Sequence, residues 1–325
     1  MIRGLILLSI ALTVSLVPAA TRAQQPSRTA VLGVLMPSIR GTSDPLIDAM
    51  RNGLRELGYV EGQNIRIEFR SAQGKWERLP GLAQELVRLN VDVIVAGAEP
   101  AIQAAQRATS TIPIVMVGYV YDPVASGQIK SYGRPGGNLT GVFTRISELV
   151  GKRLQLLQEV VPHLSRVAVF LDSSGHRELD EVEPAARSLG LKVTVLKLQA
   201  PYDFQTAFKT AKKQKAGAVV LLFSPEFYVE RAQIAAAALK VRLPTAAGFR
   251  PHTLAGGLLS YGPDPLDGYH RVAYFVDRLL KGAKPSDLPV EQSATFKLVV
   301  NLKTAGALGL TIPLSTLLSA DEVIR

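Results

Sequence analysis

Residues Val91 to Pro100 read VDVIVAGAEP. The run Val91 to Ala96 is short and rich in β-branched residues, the pattern of a strand covered on both faces. Gly97-Ala98-Glu99-Pro100 breaks it and leads into an amphipathic stretch, Ala101 to Ala108, that predicts a helix. A strand that turns tightly into a helix is the recurring piece of a parallel α/β sheet. The same alternation extends in both directions. Upstream lie a buried strand (Ala30 to Met36), a helix (Leu46 to Leu57) stopped by Gly58, an alternating strand (Ile65 to Phe69) and a second helix (Leu79 to Leu89). Downstream, Ile114 to Val117 predicts a further strand.

The order then begins again. Arg166 to Leu171 answers the first strand, Leu189-Gly190 the helix stop at Leu57-Gly58, and Val193 to Leu198 the second strand. Phe204 to Lys213 predicts a helix, Ala218 to Phe223 answers Val91 to Ala96, and Leu243-Pro244-Thr245 answers Ile112-Pro113-Ile114. One α/β unit thus occurs twice, offset by roughly 130 residues, which marks two lobes rather than one long domain. The fold class expected is α/β, with two Rossmann-like lobes on parallel sheets and a cleft between them.

The N-terminus carries a different signal. Met1-Ile2-Arg3, an apolar run from Leu5 to Val17 and the small residues up to Ala23 predict a signal peptide over residues 1–23, cleaved near Ala23. The apolar core falls short of the ~20 residues that span a bilayer, although an N-terminal anchor is the competing reading. The 325 residues include no cysteine, which closes off disulfides, thiolate metal sites and a lipid-modified leader. Basic residues outnumber acidic ones by 37 to 27. They are dispersed, with only Lys212-Lys213-Gln214-Lys215 forming a run at a helix end, where the macrodipole favours them. This is a solvated surface, and nucleic acid is not an expected partner.

In open α/β sheets, ligands sit beyond the carboxyl ends of the strands. The candidates there are Ser38 and Arg40, Ala98 and Glu99, and Tyr121 and Asp122 in the first half, with Ser173, Ser224 and Phe249 in the second and Tyr261 as a further aromatic. Small residues, hydroxyls and aromatics with few charges suit a small polar or amphipathic solute. Free N–H groups of the helix after Ala98 can accept a carboxylate, unless Glu99 itself caps that helix. The aromatics would stack on a ligand, although tyrosines at strand ends are also ordinary packing. Catalysis finds little footing. His163, His176, His252 and His270 show no metal-ligand or base spacing, and no nucleophile elbow is present. Asp122 and Asp172 could pair across the cleft as acid and base, with an Asx turn or a helix cap as the competing reading. No enzymatic activity, metal or cofactor is expected.

One stretch at first suggests a phosphate cradle: DPVASGQIKSYGRPGGNLTG (Asp122 to Gly141), with Gly136-Gly137 beside Arg134 and Asn138. It lacks both phosphate-loop and dinucleotide spacings, and a tight turn is the competing reading. That stretch, with YFVDRLLKGAKPSDLPVEQSATFKLVVNLKTAGALGLTIP (Tyr274 to Pro313) and ADEVIR (Ala320 to Arg325), resembles the ABC transporter substrate-binding protein family, which includes the tryptophan-binding TrpX proteins. The resemblance covers essentially the whole mature chain. It implies a periplasmic-binding-protein-like fold of type I, located in the periplasm and monomeric, that receives a small-molecule solute for an ABC permease in the inner membrane. An exported sensory module signalling to a membrane receptor is the alternative. By the same likeness lobe one is 27–143 and 262–290, and lobe two is 144–261 and 291–325, with crossings at Leu139 to Phe143, near Tyr261, and at Leu288 to Thr295. Asn138 then falls in a crossover turn. Asp122 becomes the partner of a ligand ammonium, while Ser38, Ser173 and the helix after Ala98 take a carboxylate. The ligand's identity stays open, since aromatic amino acids serve only some relatives.

Overall fold

The β-branched runs form strands and the amphipathic stretches form helices throughout residues 28–325, which the computed structural model describes except for Arg40, Thr42, Tyr121 and Ala294. The signal peptide reading lies outside the described residues. The first half runs β1 (Ala30–Met36), α1 (Pro45–Glu56), β2 (Ile65–Ser71), α2 (Leu79–Arg88), β3 (Val93–Gly97), α3 (Ala98–Ala108), β4 (Ile114–Gly118) and β5 (Leu139–Phe143). The second repeats it as α4 (Val150–Val160), β6 (Arg166–Leu171), α5 (His176–Ser188), β7 (Lys192–Lys197), α6 (Phe204–Lys213), β8 (Ala218–Leu221), α7 (Pro225–Val229), α8 (Arg231–Lys240), β9 (Thr245–Ala247), α9 (Arg250–Leu254) and β10 (Leu259–Gly262). The remainder is α10 (Pro265–Leu280), β11 (Glu291–Gln292), β12 (Lys297–Asn301), α11 (Leu302–Leu308), α12 (Leu314–Ser319) and β13 (Glu322–Ile324).

Among the described residues these strands make two sheets, ordered β11-β5-β4-β3-β1-β2 and β13-β12-β10-β9-β8-β6-β7. The repeat is therefore topological as well as sequential: β2-β1-β3-β4-β5 has the same order as β7-β6-β8-β9-β10. Pairing is parallel except between β10 and β12. Each sheet is covered on both faces, by α1 and α10 against α2 and α3 in one lobe. In the other, α4 and α5 lie opposite α6 and α8. That burial is why the strands read as continuous apolar runs rather than alternating ones.

The connections between the sheets differ in detail from the expectation. Leu139 to Phe143 does not itself cross, because it pairs with β4 from Ile114↔Leu139 to Gly118↔Phe143, and the chain leaves the first lobe after it. Tyr261 lies on β10 of the second sheet. Glu291 and Gln292, expected in lobe two, pair with Val142 and Phe143 at the edge of the first sheet, so the third crossing falls between β11 and β12. The stretch that looked like a phosphate cradle builds the approach to β5. Asn138 donates from Nδ2 to the carbonyls of Thr109 (3.0 Å) and Ile112 (2.9 Å), fastening the turn to the segment before β4. Gly141 lies at φ 128°, and a Cβ there would stand 2.4 Å from the Met116 carbonyl oxygen, so β5 can lie beside β4 only with glycine at this position. No helix among the described residues is long and apolar enough to cross a membrane.

Candidate functional site

The carboxyl ends of β1, β3 and β4 face those of β6, β8 and β9 across a cleft, and the two lobes meet there through aromatic side chains. Tyr119, just after β4, packs on Phe223 at 5.4 Å between ring centroids and on Phe249 at 5.1 Å, both from the other lobe. Tyr228 on α7 stands edge-on to Phe249 at 6.4 Å, with the Arg231 guanidinium 4.8 Å from its ring centroid. These contacts join the second lobe's aromatics to the first lobe's core. Tilted and edge-to-face arrangements of this kind add to the burial they provide.

Two chambers lie against this cluster. The inner one is small, about 40 Å³, and is lined by Met36, Leu46, Gly97, Ala98, Phe249 and three tyrosines, Tyr119, Tyr228 and Tyr269. The other holds about 340 Å³ and mixes apolar walls from Trp76, Pro100 and Val120 with Glu99, Gln103, Ser173 and Ser174. Tyr119, Phe223 and Pro225 line both. The larger chamber lies between the start of α3, at Glu99 and Pro100, and Ser173 and Ser174 just before α5, and the first N–H groups of these helices have no partner within their own helices, Pro100 having none to offer. The Ser174 hydroxyl is buried there without a hydrogen-bond partner among the described residues.

Local backbone geometry shapes the inner chamber. Ala98, the first residue of α3, has φ 61°, a left-handed conformation that L-residues seldom adopt and that tends to collect at functional sites. Before it, Gly97 leaves room for its neighbours: a Cβ there would lie 2.3 Å from the Tyr269 hydroxyl and 2.7 Å from both Met36 Cε and Sδ. Burial raises the phenol pKa of Tyr119, Tyr228 and Tyr269, and nearby tyrosines and the carboxylates of Asp44 and Asp264 raise them further, so all three stay protonated.

Polar clasps close the cleft beside these chambers. Glu226 of α7 accepts hydrogen bonds across it from the Ser38 hydroxyl and, at 2.9 Å, from the Trp76 indole N–H. Arg177 of α5 donates to Glu99 of α3 at 3.0 Å.

The structure brings some of the expected site residues together and sends others elsewhere. Ser38 and Ala98 line the inner chamber with Phe249, while Glu99 and Ser173 line the larger one. Glu99 does not cap α3, since no side chain caps that helix; it bonds Gln103 and Arg177 instead. Ser224 caps α7 by accepting from the Phe227 N–H, and its hydroxyl donates to Asp172. Asp122 forms an Asx turn. Its Oδ1 accepts from the N–H groups of Val124 (2.8 Å) and Ala125 (3.2 Å), and its Oδ2 from the Tyr132 hydroxyl (2.6 Å). Although burial acts upward on its pKa, these donors and Arg145 hold it below the usual value. Asp172 is likewise engaged, by the Ser174 N–H and the Tyr202 hydroxyl, so neither aspartate is placed as half of an acid–base pair. Tyr261 packs against Phe296 and the second lobe's core. Arg40 and Tyr121 lie outside the described residues. The sequence reading missed Trp76, Tyr228 and Tyr269. Trp76 is the one tryptophan of the chain, and that rarity was the only signal it offered.

Comparison with known proteins agrees with this architecture. The profile of a family described as "ABC transporter substrate binding protein" matches residues 38–324. The tyrosine-binding protein of Clostridioides difficile (strain R20291) is 27% identical over 293 residues, covering 86% of this chain and 80% of that protein. Among solved structures, the ABC domain from Streptococcus pneumoniae in complex with L-Trp has a TM-score of 0.81 at 26% identity, covering 91% of this chain and 100% of the other. A conserved domain protein from Vibrio cholerae reaches 0.83 at the same identity and coverage.

Proposed function

The chain belongs to the ABC transporter substrate-binding protein family, and from that premise we propose that it is an exported receptor that closes around an aromatic amino acid and presents it to a membrane permease. The observation that carries the reading is the pairing of an aromatic-walled inner chamber with a larger polar one across the shared residues Tyr119, Phe223 and Pro225. A zwitterion with an aromatic side chain has the same two-part character. Its carboxylate is suited to the first turns of α3 and α5 with the Ser173 and Ser174 hydroxyls, because free N–H groups at a helix start favour an anion. Its ammonium is suited to Glu99. Tyr119 and Phe223 then wall the ring. The relatives that bind tyrosine and tryptophan support the ring, and the reading asks for no chemical step.

Thermal unfolding with a panel of amino acids and small organic acids tests the proposal. L-Tyr or L-Trp is expected to raise the melting temperature, since a ligand at a hundredfold excess over its Kd stabilises the native state by about 2.7 kcal/mol. Stabilisation by other solutes alone would refute the choice of ligand class. Sequencing of the exported protein is expected to begin near Gln24, and recovery of uncleaved Met1 in the membrane fraction would count against a released receptor.

A further inference from the structure

We infer that Tyr119 and Tyr228 select the solute by what its ring carries, holding their hydroxyls for a neutral hydrogen-bonding group such as an indole N–H or a phenol O–H. The inference rests on the aromatic amino acid reading above and goes beyond it by separating members of that class.

The two hydroxyls stand out among the tyrosines of the molecule. Tyr59 donates to Asp277, Tyr132 to Asp122, Tyr202 to Asp172 and Tyr269 to the Met36 sulfur. Tyr119 and Tyr228, only 8% and 6% exposed, leave their hydroxyls buried with no partner among the described residues. A buried, unpaired hydroxyl is costly, so one kept in a native fold asks for an explanation, and a ligand that completes it is the one this chamber offers. The two residues reach the inner chamber from opposite lobes, so both hydroxyls can be engaged by one group only while the cleft is closed. That chamber's volume of about 40 Å³ is room for a ring's polar tip and not for a second ring.

Charge in the surroundings decides the kind of group. Among the described residues no charged side chain lines the chamber. The carboxylates that act on these phenols, Asp44 and Asp264, accept as caps from the Leu46 and Leu266 N–H groups. Their negative charge opposes an anion at that end, and the Arg231 guanidinium, 4.8 Å from the Tyr228 ring centroid, opposes a cation, whereas a neutral N–H or O–H meets neither penalty. A plain benzyl ring has no polar tip to place in that space and leaves both hydroxyls unpaired, which is the situation in which a site built for hydrogen bonding rejects an analogue lacking the group.

Calorimetric titration of L-Tyr, L-Trp and L-Phe into the mature chain and into Tyr119→Phe, Tyr228→Phe and the double variant tests this. The wild type is expected to bind L-Tyr or L-Trp at least about tenfold more tightly than L-Phe, and the double variant to lose that preference while keeping its affinity for L-Phe. Equal wild-type affinities for L-Phe and the other two would overturn the inference and leave the proposed function standing, as would a preference that survives in the double variant. Binding of none of the three would overturn the proposed function and this inference together.

Discussion

At the scale of single residues, buried polar groups give the sharpest expectations. His252 on α9 packs against Tyr228, and burial, with Arg231 adding to it, pushes its pKa down from 6.5 to about 3. A histidine held neutral in the fold but free to protonate when unfolded stabilises the protein fully above the unfolded value near 6.5, and loses that contribution as pH falls toward 3. Unfolding by urea is therefore expected to show a loss of about 2 kcal/mol between pH 7 and pH 5 from this residue. His252→Gln should flatten that slope, and an unchanged slope in the variant would place the titration elsewhere. Asn138 and Asp122 make a second comparison. Asn138 holds two carbonyls at the turn before β5, and Asn138→Ala is expected to cost about 2 kcal/mol in melting experiments with ligand affinity retained. Asp122, engaged by its own loop, is expected to behave the same way; a selective loss of affinity in Asp122→Ala would restore it to the binding site.

At the scale of elements, the junction from β3 into α3 ties backbone form to the inner chamber. Gly97→Ala would drive a Cβ onto the Tyr269 hydroxyl and Met36, two side chains that line the chamber, at a cost of about 1–3 kcal/mol together with weakened ligand binding. Gly81, exposed on α2 with nothing within 4 Å of an added Cβ, provides the contrast: Gly81→Ala should stabilise by about 0.4–1 kcal/mol and leave binding alone. Urea unfolding and titration of both variants separate the two effects. This junction also shows what the sequence made legible. The run VDVIVAG followed by a helix placed β3 and α3 in a parallel sheet, and the rule that ligands lie beyond strand ends pointed to Ser38, Ala98, Glu99, Ser173 and Phe249, all of which line the two chambers. That rule could not find Tyr228 or Tyr269. They lie four and five residues past their helix caps, Ser224 and Asp264, and only the approach of one lobe to the other turns them toward a common space. Asp122 and Tyr261 failed for local reasons. An aspartate at a turn bonds the N–H groups two and three residues on, and Tyr261 lies on β10 with its ring on the second lobe's core.

At the scale of the whole molecule, polar contacts join the two lobes across the cleft. Glu226 is 8% exposed, and both of its carboxylate oxygens accept hydrogen bonds from the opposite lobe, through Ser38 and Trp76. Hydrogen bonds to a charged group contribute about 1.5–3 kcal/mol. The Arg177 to Glu99 pair, by contrast, joins side chains that are 48% and 25% exposed and adds little in water. Under the proposed function closure is a two-state equilibrium, which the Glu226 clasp would bias before any solute arrives and a solute touching both lobes would bias further. Glu226→Gln keeps the shape of the side chain but removes its charge and one of its two acceptor oxygens, so the ligand-free population should move toward the open form. Small-angle scattering is expected to give this variant a larger ligand-free radius of gyration than the wild type, and the same radius at saturating ligand. Apparent affinity should weaken by the factor through which the closed fraction falls, because a solute that needs the closed form binds in proportion to the population of that form. If the variant matched the wild type in both radius and affinity, closure would depend on the solute alone, with the Glu226 bonds only following the lobes together.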